Sequence, residues 1–255
     1  MTENSLLCVG LDPDFNKLPD IFKKSKTPLY DFNKSIIDAT APYVGAFKPN
    51  SAFYEARGEA GMRELRMTFD YLNETYPDIF TILDAKRADI GNTNNGYATM
   101  AFDWLDADAV TLHPYLGQEA IQPFLDRTDK TSIILCRTSN PGAGEFQDLK
   151  IYDKALWQVV AEQVASKWNK NNNCMLVVGA TYPEELAIVR KVVGEMTILV
   201  PGIGAQGGDL EKVMAAGLNS QKAGLLINSS RGIIFAADPA AEAKKLCEQI
   251  NQLRK

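Results

Sequence analysis

The chain has 255 residues, 45% hydrophobic and 23% charged, with a net charge of −5. That composition is ordinary for a globular protein, and the acidic balance argues against a nucleic-acid partner, which needs a basic face. No apolar run approaches the ~20 residues that span a bilayer. Met1-Thr2-Glu3-Asn4 carries neither a positive segment nor a signal-like apolar core, so the expectation is a cytoplasmic protein with no membrane partner.

Short apolar runs rich in Val, Ile and Leu recur at residues 6–11, 44–48, 79–85, 109–112, 132–136, 175–178, 197–200 and 223–227. Continuous runs of this kind suit strands covered on both faces. Amphipathic stretches lie between them at residues 29–41, 58–76, 152–169 and 183–193, and a last one at 241–253 closes the chain. Strand–helix alternation predicts a parallel sheet. Eight strands in a chain of roughly 250 residues is the count of an α/β (β/α)8 TIM barrel, with a doubly wound open sheet as the competitor. No low-complexity linker interrupts the pattern, so residues 1–255 read as a single domain. Cys8, Cys136 and Cys174 fall in strand-like runs and no CxxC pair occurs. The cysteines therefore read as small buried hydrophobes in a reducing compartment. His113 is the only histidine. It rules out a histidine-based metal cluster and reads as structural, since an acid–base role needs a placed partner.

In a barrel the chemistry sits where the strands end, and here those ends are polar: Asp12, Lys48, Asp84-Ala85-Lys86, His113-Pro114, Arg137-Thr138-Ser139-Asn140, Gly179-Ala180-Thr181, Pro201-Gly202-Ile203-Gly204 and Asn228-Ser229-Ser230-Arg231. The strand starts carry no such set, and this one-sidedness points to an enzyme. After the third strand come Asp84, Lys86 and Asp89. Residues two apart on a strand share a face, so Asp84 and Lys86 are expected to project together. Buried charges occur mainly in pairs. The set is either a built electrostatic site or a pair of salt bridges capping a core strand. Lys48, on the neighbouring strand, either joins it, making an array of Lys48, Asp84, Lys86 and Asp89, or snorkels to solvent. The Ser139-Asn140-Pro141-Gly142-Ala143-Gly144 segment is a surface turn or a lid. The glycine-rich Gly202–Asp209 segment, followed one strand later by Arg231, suggests phosphate binding, because glycine admits close backbone approach and Arg grips two oxygens at once.

The Asp-x-Lys-x-x-Asp run formed by Asp84, Lys86 and Asp89 resembles the signature of the orotidine 5′-monophosphate decarboxylase family. The similarity extends over Cys8 to Asp14, Phe47 to Asn50, Asp84 to Thr93, Arg137 to Asn140, Pro201 to Asp209 and Arg231, all in family order. The Asp84–Thr93 and Cys136–Gly144 segments most resemble the longer bacterial subgroup. Ala88, Asn92 and His113 depart from the residues common there, Gly, Ser and Asn, and none is expected to be catalytic. Little sequence precedes Leu6, so a helix that often covers the barrel's bottom is expected to be reduced.

The resemblance implies a barrel that works as a homodimer with shared sites, without cofactor or metal. The implied reaction decarboxylates orotidine 5′-monophosphate to uridine 5′-monophosphate (UMP), the last step of de novo pyrimidine synthesis. Asp12 and Lys48 would meet the ribose hydroxyls, Asp84 would orient the two lysines, and Lys86 would protonate C6. Asp89 and Thr93 would come from the neighbouring subunit. Ser139 would bind the pyrimidine edge, and Gln206 and Arg231 the phosphate. Related barrels that act on sugar phosphates with Mg²⁺, and a non-catalytic phosphate-binding barrel, are the competing readings. Carboxylates beside the ligand's acidic group are of no use to a simple binder.

Overall fold

The computed structural model describes residues 5–203 and 207–255. Eight parallel strands close into a barrel: β1 (Leu7–Leu11), β2 (Ala46–Pro49), β3 (Phe80–Arg87), β4 (Ala109–Leu112), β5 (Thr131–Arg137), β6 (Cys174–Val178), β7 (Ile198–Pro201) and β8 (Leu225–Ser229). β8 pairs back onto β1, with Leu7 opposite Ile227. Closure leaves no open sheet edge, and it excludes the open-sheet alternative. A helix follows each strand: α1 (Pro28–Thr40), α2 (Gly58–Thr75), α3 (Thr93–Ala98), α4 (Gly117–Leu125), α5 (Leu156–Gln163), α6 (Pro183–Val193), α7 (Leu210–Gly217) and α8 (Pro239–Leu253).

The helices begin where local chemistry lets them. Pro28, Pro183 and Pro239 occupy first-turn positions, where the missing N–H costs nothing. The Asp238 and Asp209 side chains cap α8 and α7 by accepting from Ala241 N and Lys212 N. The start of α1 is capped from a distance instead. The buried Glu64 of α2 accepts from the N–H groups of Leu29 (2.6 Å) and Tyr30 (3.0 Å). This satisfies two orphan donors and locks the helices together. Helix α5 starts at Leu156, later than the sequence pattern suggests, because 150–155 fold as a two-stranded hairpin with Tyr152 at a φ of 58°.

Strand parity sorts the core. Cys8, Ala46, Ile82, Ala109, Ile133, Val177 and Leu199 fill the barrel's interior, while the alternate residues, such as Leu7, Phe47, Leu83 and Val110, pack against the helices. One step further along, the inward positions turn polar: Asp12 beyond Cys8 and Gly10, Lys48 beyond Ala46, Asp84 beyond Ile82, Thr111 beyond Ala109. Hydrophobic burial thus ends at one layer, and the next layer is the floor of a cavity. The cysteines are all free and buried. Among the described residues no helix is long and apolar enough to cross a membrane. Residues 1–4, on which the expected bottom-covering segment falls, lie outside the described residues.

Candidate active site

A cavity of about 580 Å³ opens at the C-terminal ends of the strands, lined among others by Asp12, Lys48, Asn50, Asp84, Lys86, Thr111, Ser139, Asn228, Ser230 and Arg231. Asp84 is its electrostatic centre. Lys48 Nζ lies 2.8 Å from Asp84 Oδ2, and Lys86 Nζ lies 2.6 Å from Asp84 Oδ1. Asn50 Nδ2 donates to Oδ2 (3.1 Å) and Thr111 Oγ1 to Oδ1 (2.9 Å). One carboxylate therefore accepts from four donors supplied by β2, the turn after it, β3 and β4. Asp84 and Lys48 are buried, 8% and 4% exposed, which is tolerable only because they are paired. Burial works to raise the Asp84 carboxyl, but the Lys48 and Lys86 charges outweigh it and hold it below the usual carboxylate range. Burial works to lower the Lys48 ammonium, but Asp84 and Asp12 outweigh it and hold it above the usual lysine value. Both groups are therefore charged at neutral pH.

Lys86 reaches Asp84 by a route that simple alternation does not describe. β3 is irregular between Leu83 and Arg87: Leu83 pairs with Val110 but Arg87 with Leu112. Lys86 sits in that bulge at a φ of 48°, a left-handed conformation costing a non-glycine residue about 1–2 kcal/mol. Its N–H donates to Thr111 Oγ1 (2.9 Å), so the same hydroxyl steadies the Lys86 backbone and the Asp84 carboxylate. The bulge turns the end of β3 and aims the Lys86 side chain into the cavity. Its side chain is 48% exposed, open to a ligand.

Asp12 stands at the end of β1. Ser230 Oγ donates to its Oδ2 at 2.6 Å, while its buried Oδ1 has no hydrogen-bond partner among the described residues, leaving an acceptor for a ligand hydroxyl. Gly10 leaves room for this pair, because a Cβ there would fall 1.8 Å from Ser230 Oγ. Arg231 begins the short helix Arg231–Ile234 after β8 and lines the cavity, as does Ser139 after β5. Gln206, expected to bind phosphate, lies outside the described residues.

Asp89 and Thr93 do not line the cavity of their own chain. β3 ends at Arg87, and the chain then leaves the barrel in a loop held by Asn94, which accepts from Asp89 N (2.9 Å) and donates to Asp89 O (2.6 Å). Thr93 opens α3 and is exposed, as is the neighbouring Ile90 at 63%. One chain thus assembles three of the four charges of the expected array. His113 Nε2 donates to Ala88 O at 3.2 Å, a structural tie on the same loop. Asn50, Thr111 and Ser230 were not singled out by sequence. Inward parity on β4 is the signal for Thr111. Asn50 lies in the Phe47–Asn50 segment that carries the resemblance but has no parity signal, since it joins Asp84 through an isolated bridge beyond the end of β2.

The family model described as "Orotidine 5'-phosphate decarboxylase / HUMPS family" matches residues 5–246. The chain belongs to this family. A family member from Cellvibrio japonicus, named orotidine 5′-phosphate decarboxylase, is 48% identical over 263 residues, covering 100% of this chain and 96% of its own. One of the same name from Christiangramia forsetii is 50% identical over 238 residues, covering 93% of this chain and 87% of its own. Among solved structures, the Leishmania donovani OMP decarboxylase superposes with a TM-score of 0.89 at 43% identity, covering 99% of this chain and 95% of that one. The family fold is the barrel described above.

Proposed function

We infer that this chain decarboxylates orotidine 5′-monophosphate to UMP in pyrimidine synthesis, as one barrel domain acting in the cytoplasm without cofactor or metal. The observation that carries this reading is the Asp84 carboxylate bracketed by the Lys48 and Lys86 ammonium groups in the floor of the cavity. The names of the relatives and their coverage of the whole chain support it.

Loss of CO₂ from C6 breaks the C6–carboxylate bond and leaves the electron pair in the ring plane, where no carbonyl can absorb it as an enolate. A fixed cation must stand where that charge develops. Lys86 fills this role: its Nζ–H donates to C6, the electron pair takes the proton, and the neutral amine is recharged from solvent. Asp84 holds both lysines in place. Lys48 and the open Oδ1 of Asp12 take the ribose hydroxyls, Ser139 the pyrimidine edge, and Gln206 and Arg231 the phosphate. Asp89 and Thr93 serve the neighbouring subunit of a homodimer, with Asp89 beside the substrate carboxylate. The exposed loop that carries them away from their own cavity favours that arrangement.

Enzymes lower barriers by ~8–23 kcal/mol, whereas one close ion pair at an effective dielectric of ~20 supplies ~4 kcal/mol. Lys86 alone is insufficient. The remainder comes from phosphate and ribose contacts that fix the reacting geometry. Asp84, already neutralised by two ammonium groups, is a poor ligand for a divalent cation, which disfavours a Mg²⁺-dependent sugar-phosphate reaction. The test is loss of orotidine monophosphate absorbance with purified protein, with and without a chelator. Turnover unaffected by the chelator is expected. No turnover on this substrate, or turnover abolished by the chelator, would overturn the assignment.

A further inference from the structure

Arg137, at the end of β5, is 3% exposed and does not line the cavity. Burying a guanidinium is costly unless it is paired, and this one is paired elaborately. Its Nη1 lies 3.1 Å from Asp148 Oδ1, and Nη2 donates to Asp148 Oδ2 at 3.4 Å. Its guanidinium carbon lies over the Tyr182 ring, 4.0 Å from the centroid. Tyr182 immediately precedes α6, so one side chain joins the end of β5, the far end of the β5 loop and the start of α6.

The residue next to Asp148 closes the same loop from inside. Gln147 Oε1 accepts from Thr138 N (2.9 Å), and its Nε2 donates to Thr138 Oγ1 (2.8 Å). Thr138 Oγ1 in turn donates to Asn140 Oδ1 (2.7 Å). Ser139, between these anchors, is also braced from behind. A Cβ on Gly179 would fall 2.8 Å from Ser139 Cβ and 3.0 Å from its N, and Gly179 N donates to Arg137 O at 2.8 Å. Thr138, Ser139, Asn140 and Gln147 all line the cavity. They offer it hydroxyl and amide groups, which suit the carbonyl and N–H edge of a pyrimidine. Arg231, one of the two phosphate candidates, is on another segment, after β8.

We propose that Arg137, Gln147 and Asp148 form a clamp of positioning residues that sets the β5 loop for recognition of the substrate's base. This rests on the reading of the cavity as a pyrimidine-nucleotide site. Gln147 holds the loop's entry directly, and the Arg137–Asp148 pair holds Gln147 where it can do so. Since two hydrogen bonds to Thr138 are lost without Gln147, Ser139 and Asn140 lose their fixed geometry while the rest of the cavity keeps its own.

The test compares Gln147→Ala with the unaltered protein for three quantities: dissociation constants for UMP and for ribose 5-phosphate, which lacks the base, and KM and kcat on orotidine monophosphate. The expected result is about tenfold weaker UMP binding and a KM raised to match, with ribose 5-phosphate affinity within twofold. Asp148→Asn, at a side chain 52% exposed, is the milder variant if Gln147→Ala fails to fold. It is expected to give the same pattern at about threefold. A merely structural role would weaken both ligands together. Equal losses, or no loss of UMP binding, would overturn the clamp. So would an unaltered protein that binds UMP no better than ribose 5-phosphate. Turnover by the unaltered protein reports separately on the decarboxylase reading.

Discussion

Replacing Asp84 with asparagine probes what holds the charged cluster together. The substitution keeps the shape, so no cavity forms, but it removes the one negative charge between two ammonium groups. It also fails on hydrogen bonding. Oδ1 accepts from Lys86 and Thr111, and Oδ2 from Lys48 and Asn50; a carboxamide has one acceptor oxygen, so its NH₂ must face two donors. Removing one partner of a buried ion pair costs ~3–5 kcal/mol, a large part of a total stability of ~5–15 kcal/mol. The pH dependence carries the more specific signature. In the native protein Lys48 is held above the ordinary lysine value. Its stabilising contribution is therefore full below about pH 10.4 and fades only above it. In Asp84→Asn, burial of Lys48 is opposed by Asp12 and Cys8 without the larger contribution of Asp84, and its pKa is expected to fall below the ordinary value. The penalty is then greatest at neutral pH and is relieved as the amine discharges with rising pH. Asp84 itself is held below the usual carboxylate range. Its contribution is full above about pH 4 and lost as pH falls further, and the variant lacks this acid limb. Urea unfolding followed by circular dichroism at pH 7 and pH 9.5 reads the size of the penalty and its relief at high pH. The expected gap of ~3–5 kcal/mol at pH 7 narrows at pH 9.5. A gap under about 1 kcal/mol at pH 7, below even the residual cost of an unsatisfied buried donor, would refute the reasoning. A gap that does not narrow would refute it equally.

Lys86→Ala removes both a proton donor, a role typically contributing 10²–10⁴-fold, and the cation beside the developing charge. A fall in kcat of about 10⁵-fold or more is expected, with UMP affinity by calorimetry changed only a few-fold. Turnover above roughly one per cent of native would remove Lys86 from the proton-donor role, since its loss would then cost less than a general acid contributes. Burial pushes the thiols of Cys8 and Cys136 up from 9.0 to about 12. Raised values mean that the fold favours the protonated form, so this stability is intact below pH 9 and is lost as pH climbs toward 12. At pH 10 each thiol is expected to cost about 1.4 kcal/mol. Comparing unfolding midpoints at pH 8 and pH 10 for native protein and Cys136→Ala checks this; an unchanged pH slope in the variant would count against it.

The eight strands and five of the eight helices that follow them are legible in the sequence, because burial on both faces leaves continuous Val, Ile and Leu runs and an amphipathic helix leaves a 3.6-residue stripe; the shorter helices Thr93–Ala98, Gly117–Leu125 and Leu210–Gly217 are not. The sequence pattern starts the helix after β5 too early, because residues 150–155, with exposed Ile151 and Tyr152, form a hairpin. The polar strand ends were equally legible, since charges that follow a core strand have few places to go except a cavity or solvent. Sequence placed Lys48, Asp84 and Lys86 at those ends.

Tertiary structure decided what they touch. Lys48 and Asp84 are 36 residues apart in the chain and meet only because β2 and β3 lie side by side in a closed barrel. The left-handed turn at Lys86, the hydroxyl of Thr111 beneath it and the buried clamp at Arg137 depend on register and packing among strands, which no local pattern records. Asp89 shows the limit most plainly. Its spacing grouped it with the other charges, but the strand ends two residues before it and the loop carries it outside the chain's own cavity. Side-chain periodicity reports which way a residue faces while the strand lasts; where strands stop, and which neighbours they bring within hydrogen-bonding reach, is set by the packing of the whole barrel.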